Sequence, residues 1–189
     1  SEIITELNMA DGGGAKSYLT NLEITGFIRA QSNPLRKERE KKYFVSDEFI
    51  RFFHKYMKES RPSIKQKFSQ KYFHHHILNK WLPWMGLAFE YYCAKNPDSL
   101  ARIMGFSEEV LNAGPFFTRE KEGLQIDLLY DRGEILTICE IKFQEKPIGI
   151  EAIKEMQLKA DKLKPYLKKY VSLEFALIAP MGITKALQS

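Results

Sequence analysis

Gln125-Ile126-Asp127-Leu128-Leu129-Tyr130-Asp131-Arg132-Gly133-Glu134-Ile135-Leu136-Thr137-Ile138-Cys139-Glu140-Ile141-Lys142-Phe143 is the stretch on which the reading of this 189-residue chain turns. Two apolar, β-prone runs flank Tyr130 to Glu134, a tight-turn composition in which Gly133 can take a positive φ. Leu124, Ile126 and Leu128 alternate with Leu129, and Ile135, Thr137, Cys139, Ile141 and Phe143 with Leu136 and Ile138. Both runs therefore read as central strands covered on each side. A turn centred between Arg132 and Gly133 sets Asp127 opposite Ile138 and makes Glu140 its diagonal neighbour, with Lys142 continuing that face. Diagonal positions lie roughly 7–8 Å apart, close enough for two carboxylates to share one divalent ion. An acid and a lysine inside such apolar runs are costly unless paired. Either Glu140 and Lys142 form a structural ion pair at a strand end, or the acids hold a metal.

Working outward, a helix is expected over Trp84 to Lys95, followed by an irregular stretch containing Pro97, Gly105, Gly114 and Pro115. Strands are expected at about Phe116 to Arg119, Gly123 to Tyr130 and Ile135 to Phe143. A long amphipathic helix over about Gly149 to Lys164 is closed by Pro165 and followed by a β-rich segment, Val171 to Ile178. The order is α-β-β-β-α-β, assigned to a domain at 81–189.

Residues 1–57 read as a separate small domain. Ser1 to Leu7 is a short amphipathic segment, Asn8 to Gly14 is turn-rich, and Ala15 to Thr25 is a helix stopped by Gly26. Phe27 to Ala30 and Lys42 to Val45 read as strands around a charged tip, Asn33 to Lys41. Ser46 is expected to cap a last helix, Asp47 to Met57, with Asp47 and Glu48 in its first turn. Helix, turn, helix and a two-stranded wing is the order of a winged helix-turn-helix.

Residues 58–80 turn polar and basic, with Lys58, Arg61, Lys65, Lys67 and Lys71 against Glu59 and with Pro62 breaking any helix. They read as a linker, or as a basic arm able to lie on a phosphate backbone.

Formal charge sharpens this division. The chain carries +5 overall, but residues 1–84 hold 15 Lys or Arg against 9 Asp or Glu, and residues 85–189 hold 14 against 15. A basic half joined to a neutral one fits a polyanion-binding module, or a solvated surface. The candidate nucleic-acid contacts are Lys16, Arg36, Lys37, Arg39, Lys41, Lys42, Lys65 and Lys67.

Hydrophobic content of 44% and aromatic content of 13% exclude disorder and fibrous architecture. The most apolar stretch, Trp81 to Ala94, contains Gly86 and Glu90 and is shorter than the roughly 20 residues of a membrane helix, so no membrane partner is expected. Cys93 and Cys139 lie in apolar surroundings without CxxC spacing, which argues against a disulfide scaffold or thiolate zinc site and for a reducing cytoplasm. The chain opens without methionine at Ser1-Glu2-Ile3-Ile4, with helical periodicity under way, and is expected to be a piece of a longer protein. Gly12-Gly13-Gly14-Ala15-Lys16-Ser17 fails as a phosphate loop, because Ala15 and Ala10 stand where glycines are required. His74-His75-His76 places adjacent rings about 100° apart on a helix, a poor arrangement for one ion.

Asp127 together with Glu140-Ile141-Lys142 resembles the PD-(D/E)XK nuclease superfamily, and Gly86-Leu87-Ala88-Phe89-Glu90 looks like the preceding helix that contributes a further acid. Ile126 departs from the Pro of the family pattern. Over nearly its whole length the chain looks like the C-terminal half of prokaryotic AAA-type ATPases. Val45-Ser46-Asp47-Glu48-Phe49, Gly86 to Glu90, and Gln125 to Phe143 with Asp131-Arg132 carry that likeness. The resemblance implies an α/β chain: a PD-(D/E)XK restriction-endonuclease-like α-β-β-β-α-β domain preceded by a small winged helix-turn-helix domain. It implies Mg²⁺ or Mn²⁺ held by Asp127, Glu140 and the Ile141 carbonyl, with Glu90 binding through water or completing a second site. Lys142 would position the nucleophile or offset phosphate charge, and Gln157 is a weaker candidate for orienting the phosphate. The expected partners are DNA and an N-terminal ATPase domain of the same polypeptide. Two other roles stay open: a catalytically inactive nuclease fold acting as a DNA-binding, regulatory or protein-interaction module, and a winged helix that only bridges domains.

Overall fold

The computed structural model describes all residues except 1, 7, 9–12, 36–40, 63–70, 72, 119–122, 168–171 and 188–189. The chain packs as two compact units, residues 1–31 with 41–69, and residues 32–40 with 70–189.

In the first unit, α1 (Glu2–Glu6) and α2 (Gly13–Ile24) precede β1 (Ile28–Ser32) and β2 (Lys41–Val45), which pair as a two-stranded sheet. The helix α2 begins earlier than expected and takes Gly13 and Gly14 into its first turn. At its other end Gly26 has φ +76°. The Phe27 N–H reaches the Leu22 carbonyl at 2.9 Å and the Gly26 N–H reaches Glu23 at 3.0 Å, a Schellman stop. A five-residue helix, α3 (Glu48–Phe52), runs on into a wider π-type turn, Phe53–Met57. Its cap is Asp47 rather than Ser46: Asp47 Oδ1 accepts the Ile50 N–H at 2.8 Å. The Ser46 N–H is still engaged by the Phe27 carbonyl at 2.9 Å, so the chain has not left the strand pair at that residue.

The second unit is a four-stranded sheet in the order β3 (Asn112–Phe117), β4 (Gln125–Arg132), β5 (Ile135–Ile141), β6 (Ser172–Ile178). The pairs β3–β4 and β4–β5 are antiparallel and β5–β6 is parallel. The chain is thus mixed α/β with a mixed sheet. Among the described residues, three α-helices accompany the sheet: α4 (Leu78–Lys95), α5 (Pro97–Met104) and α6 (Ile150–Leu163), the last connecting β5 to β6.

Several elements differ from the sequence reading. A π-type turn at Phe73–Ile77 leads into α4, so helix replaces linker over residues 73–80. Pro83 lies inside α4, in its second turn, and removes one N–H donor from the helix ladder there. The stretch expected to be irregular contains α5, with Pro97 at its first position and Gly105 (φ +83°) closing it. Strand β3 starts four residues before Phe116 and includes Gly114 and Pro115. Asn33, expected at an exposed wing tip, is 1% exposed and donates from Nδ2 to the Phe117 carbonyl at 3.3 Å. Beside it, a Cβ on Gly114 would stand 2.8 Å from the Ser32 carbonyl oxygen, so close approach of two backbones requires glycine there.

Two apolar clusters lie on opposite faces of the sheet. One joins Leu124, Ile126, Leu129, Leu136 and Ile138 to Ala160 and Leu163 of α6. The other joins Leu128, Tyr130, Cys139 and Ile141 to Cys93 of α4 and to Ala101 and Phe106. Ile126 and Leu129 share a cluster despite their odd spacing. The β3–β4 register explains this: Gly114 pairs with Leu129 and Phe116 with Ile126, so β4 carries one extra residue at Asp127–Leu128.

Arg132 ties the turn end of the sheet together. Its side chain is 8% exposed, its guanidinium lies 4.3 Å from the Phe106 ring centre, and it bonds Glu109, Glu174 and Thr137. Glu109 and Glu174 are about half exposed and can return to water, so the loss is smaller than for a fully buried pair. Arg132→Met is expected to lower stability by about 2 kcal/mol, and Arg132→Lys to recover only part of it because the ammonium cannot reproduce the fork. Urea unfolding checks this; a loss below about 0.5 kcal/mol would place the guanidinium among ordinary surface charges.

Candidate active site

The turn between β4 and β5 is centred one residue later than the sequence reading placed it. Arg132 pairs with Ile135, and the ladder runs to Leu128 opposite Cys139. Shifting the centre by one residue shifts the pairing by two, so Ile138 stands opposite Leu129, and Asp127 lies one residue beyond the last paired position, Leu128. The Ile141 N–H donates to Asp127 Oδ2 at 3.2 Å, which fixes the Asp127 carboxylate across the strand pair. The extra residue in β4 falls at this point, where a bulge interrupts the regular pleat.

Glu140 is buried, at 5% exposure, on a strand buried from Leu136 through Ile141. Two ammonium groups balance it. Lys159 Nζ of α6 donates to Oε2 at 2.5 Å, and Lys142 Nζ stands 3.4 Å from Oε1. Lys142 is also bonded to Glu155 of α6. Glu90 comes from α4, whose neighbouring Phe89 packs on Phe143 with ring centres 5.8 Å apart. Glu90, Asp127, Glu140, Ile141, Lys142 and Lys159 line one open cleft of about 590 Å³. Gln157 is exposed and lies outside that lining.

The carboxylates crowd one another. Burial, then the charges of Asp127 and Glu140, push the Glu90 carboxyl up to about 7. Asp127 is likewise raised, by burial and then by Glu140, against the opposing pull of Lys159 and the Ile141 N–H. Burial works against the Lys142 ammonium, but the bond to Glu155 and the charge of Glu140 outweigh it and raise its pKa. The same bond lowers Glu155. Burial drives the Cys93 thiol to about 11 and the Cys139 thiol to about 12, so neither is a thiolate at neutral pH.

Excess negative charge on oxygen donors fits a hard divalent cation in kind. Among the described residues, however, no group of three His, Cys, Asp or Glu side chains forms a ready metal cage. Glu140 faces lysines on both of its oxygens, so its ligation of an ion requires an exchange of partners.

The cleft thus brings Asp127, Glu140, Ile141, Lys142 and Glu90 together. Lys159 and Glu155 were not singled out from the sequence. They are four apart beside the buried stripe of α6, Ala152, Met156, Ala160 and Leu163, a spacing that reads as a surface helix pair. Of the candidate nucleic-acid contacts, Lys16 on α2 and Lys41 and Lys42 on β2 are exposed; Arg36, Lys37, Arg39, Lys65 and Lys67 lie outside the described residues. Among those described, no helix is long and apolar enough to cross a membrane. Compared with known protein families, curated proteins and solved structures, the chain matches none.

The raised Glu90 pKa has a signed consequence. The folded state holds a proton that the unfolded chain releases between about pH 4.5 and 7, so this contribution to stability is present below 4.5 and lost as pH rises through 7. Glu90→Gln is expected to be more stable than the parent by about 1–2 kcal/mol at pH 8, a figure reduced for solvent screening at a half-buried position. The difference should vanish near pH 4.5. Urea unfolding of both proteins across that range checks it; identical pH profiles would contradict the crowding of the three carboxylates.

Proposed function

We propose that the second unit is a PD-(D/E)XK nuclease-like domain that hydrolyses phosphodiester bonds of DNA with Mg²⁺ or Mn²⁺, and that the first unit is a winged helix that holds the nucleic acid. The whole is read as the C-terminal region of a prokaryotic AAA-type ATPase, cytoplasmic, with its ATPase domain on the same polypeptide. The observation that carries this reading is the convergence of Glu90, Asp127, Glu140 and Lys142 on one cleft. Glu90 stands on α4, Asp127 on β4, Glu140 on β5 and Lys142 just past the end of β5, within the order of a helix, an antiparallel three-stranded meander, a crossover helix and a parallel strand.

The residues fit distinct tasks. Asp127, Glu140 and the Ile141 carbonyl would hold the divalent cation, with Glu90 beside them. When bound, such a cation supplies Lewis-acid polarisation of the phosphate and a more acidic water. Lys142 remains protonated through Glu155 and Glu140, and so can offset charge developing on the phosphate oxygens or position the attacking water. Glu90, whose carboxyl burial and the charges of Asp127 and Glu140 make more basic than usual, can accept a proton from that water. In the first unit, Lys16, Lys41 and Lys42 supply exposed positive charge for a phosphate backbone.

A second reading rests on the lysine contacts. Because Lys159 and Lys142 already neutralise Glu140, the same fold is self-consistent as a catalytically inactive module for binding DNA or a protein partner, the ATPase included. Glu140→Ala and Lys142→Ala are each expected to lower Mg²⁺-dependent DNA cleavage by at least about 100-fold, with DNA affinity retained. Wild-type protein that cuts neither linear, branched nor single-stranded DNA with Mg²⁺ or Mn²⁺ would turn the conclusion to the inactive module. Replacing Lys16, Lys41 and Lys42 together with Gln is expected to weaken DNA binding and flatten the slope of log K against log salt by about 2–3. An unchanged slope in filter binding would mean that the first unit only bridges domains.

A further inference from the structure

The closest partner of Glu140 is one that no nuclease motif requires. Lys159 Nζ sits 2.5 Å from Glu140 Oε2, and Glu140, at 5% exposure, cannot shift its charge to water. Lys142 lies farther away, at 3.4 Å from Oε1, and has a second anchor in Glu155. The two lysines therefore differ in attachment. Lys142 stays in place through Glu155 whether or not Glu140 is available, whereas among the described residues the ion pair that holds Lys159 is the one with Glu140. Lys159 is also about one-quarter exposed and lines the open cleft, so its ammonium has a route to solvent that the Glu140 carboxylate lacks.

On the metal-site reading above, we propose that Lys159 is the resident counter-ion of the site: it neutralises Glu140 while no divalent cation is bound and is exchanged for the cation when the site fills. A carboxylate oxygen that accepts from an ammonium is not available as a ligand, and an ammonium beside a dication is repelled by it. Removing Lys159 without replacement would leave a buried carboxylate with only the more distant Lys142 to compensate it, so its departure and cation entry are coupled. The exchange makes Lys159 a positioning residue, one that sets how much free cation the site requires. Lys162 lines the same cleft and is the matched control for the general effect of a nearby positive charge.

The test is Mn²⁺ binding to the full chain at pH 8 by calorimetry, which requires no catalysis. Lys159→Met is expected to bind Mn²⁺ about tenfold more tightly than wild type, and Lys162→Met to stay within about twofold of wild type. Glu140→Gln is expected to lose the site, and Lys159→Arg, whose guanidinium grips a carboxylate more firmly, to bind no more tightly than wild type. Should Lys159→Met not fold without metal, the Arg variant decides, since tighter Mn²⁺ binding by Lys159→Arg than by wild type would overturn the exchange. Glu140-dependent binding in wild type together with equal or weaker binding by Lys159→Met overturns the exchange and leaves the metal site standing. No Glu140-dependent binding in any of these proteins overturns the metal site itself.

Discussion

An ionised carboxylate on the most buried strand of the sheet is the constraint around which the second unit is organised. Leu136 through Ile141 of β5 are all buried, and Glu140 is among them. A charge in such surroundings costs several kcal/mol unless partners are supplied in place. Those partners come from α6 and from the strand's own end: Lys159 on one oxygen and Lys142 near the other. The helix that covers one face of the sheet therefore also delivers compensating charge, and its apolar stripe and its charged flank serve different ends of the same packing problem.

The other acids reach the same place by different routes. Asp127 arrives because β4 carries an extra residue there, and its carboxylate is held by the Ile141 N–H across the strand pair. Glu90 arrives on α4, a helix whose Cys93 is packed into the core on the other side of the sheet from α6. Elements on both faces thus meet at one edge of the cleft, with the rigid sheet between them. The sheet holds the three carboxylates close despite burial and, after it, mutual repulsion, which together raise the pKa values of Glu90 and Asp127. Sites that combine burial with like-charge crowding are more often functional than structural.

Local chemistry in both units follows familiar rules once the boundaries are known. The helices α2 and α5 both end on a glycine with positive φ, at Gly26 and Gly105, each closed by backbone bonds to the preceding turn. In α5 the Pro97 and Gly105 that read as breakers are its start and stop, because Pro suits a first helical position and Gly the residue after the last. The misreading came from treating each as an isolated interruption, although the eight residues of α5 are strongly amphipathic at the helical period.

The sequence by itself determined the pair of central strands, the turn at Gly133, the crossover helix and the last strand, and with them Asp127, Glu140 and Lys142. These rest on local signals: a period of two in apolar residues, turn composition, and polar residues standing out in apolar runs. Tertiary structure alone decided the register, which set Leu129 rather than Asp127 opposite Ile138, and the bulge that set Ile126 and Leu129 on one face. It also decided that Glu155 and Lys159, four apart on α6, each take a partner from the β5 end. Register depends on which residue the turn centres, and ion-pair choice on which helix face meets which strand end. Both are fixed by long-range packing, and neither leaves a mark at the spacing of three or four residues over which a sequence pattern can be read.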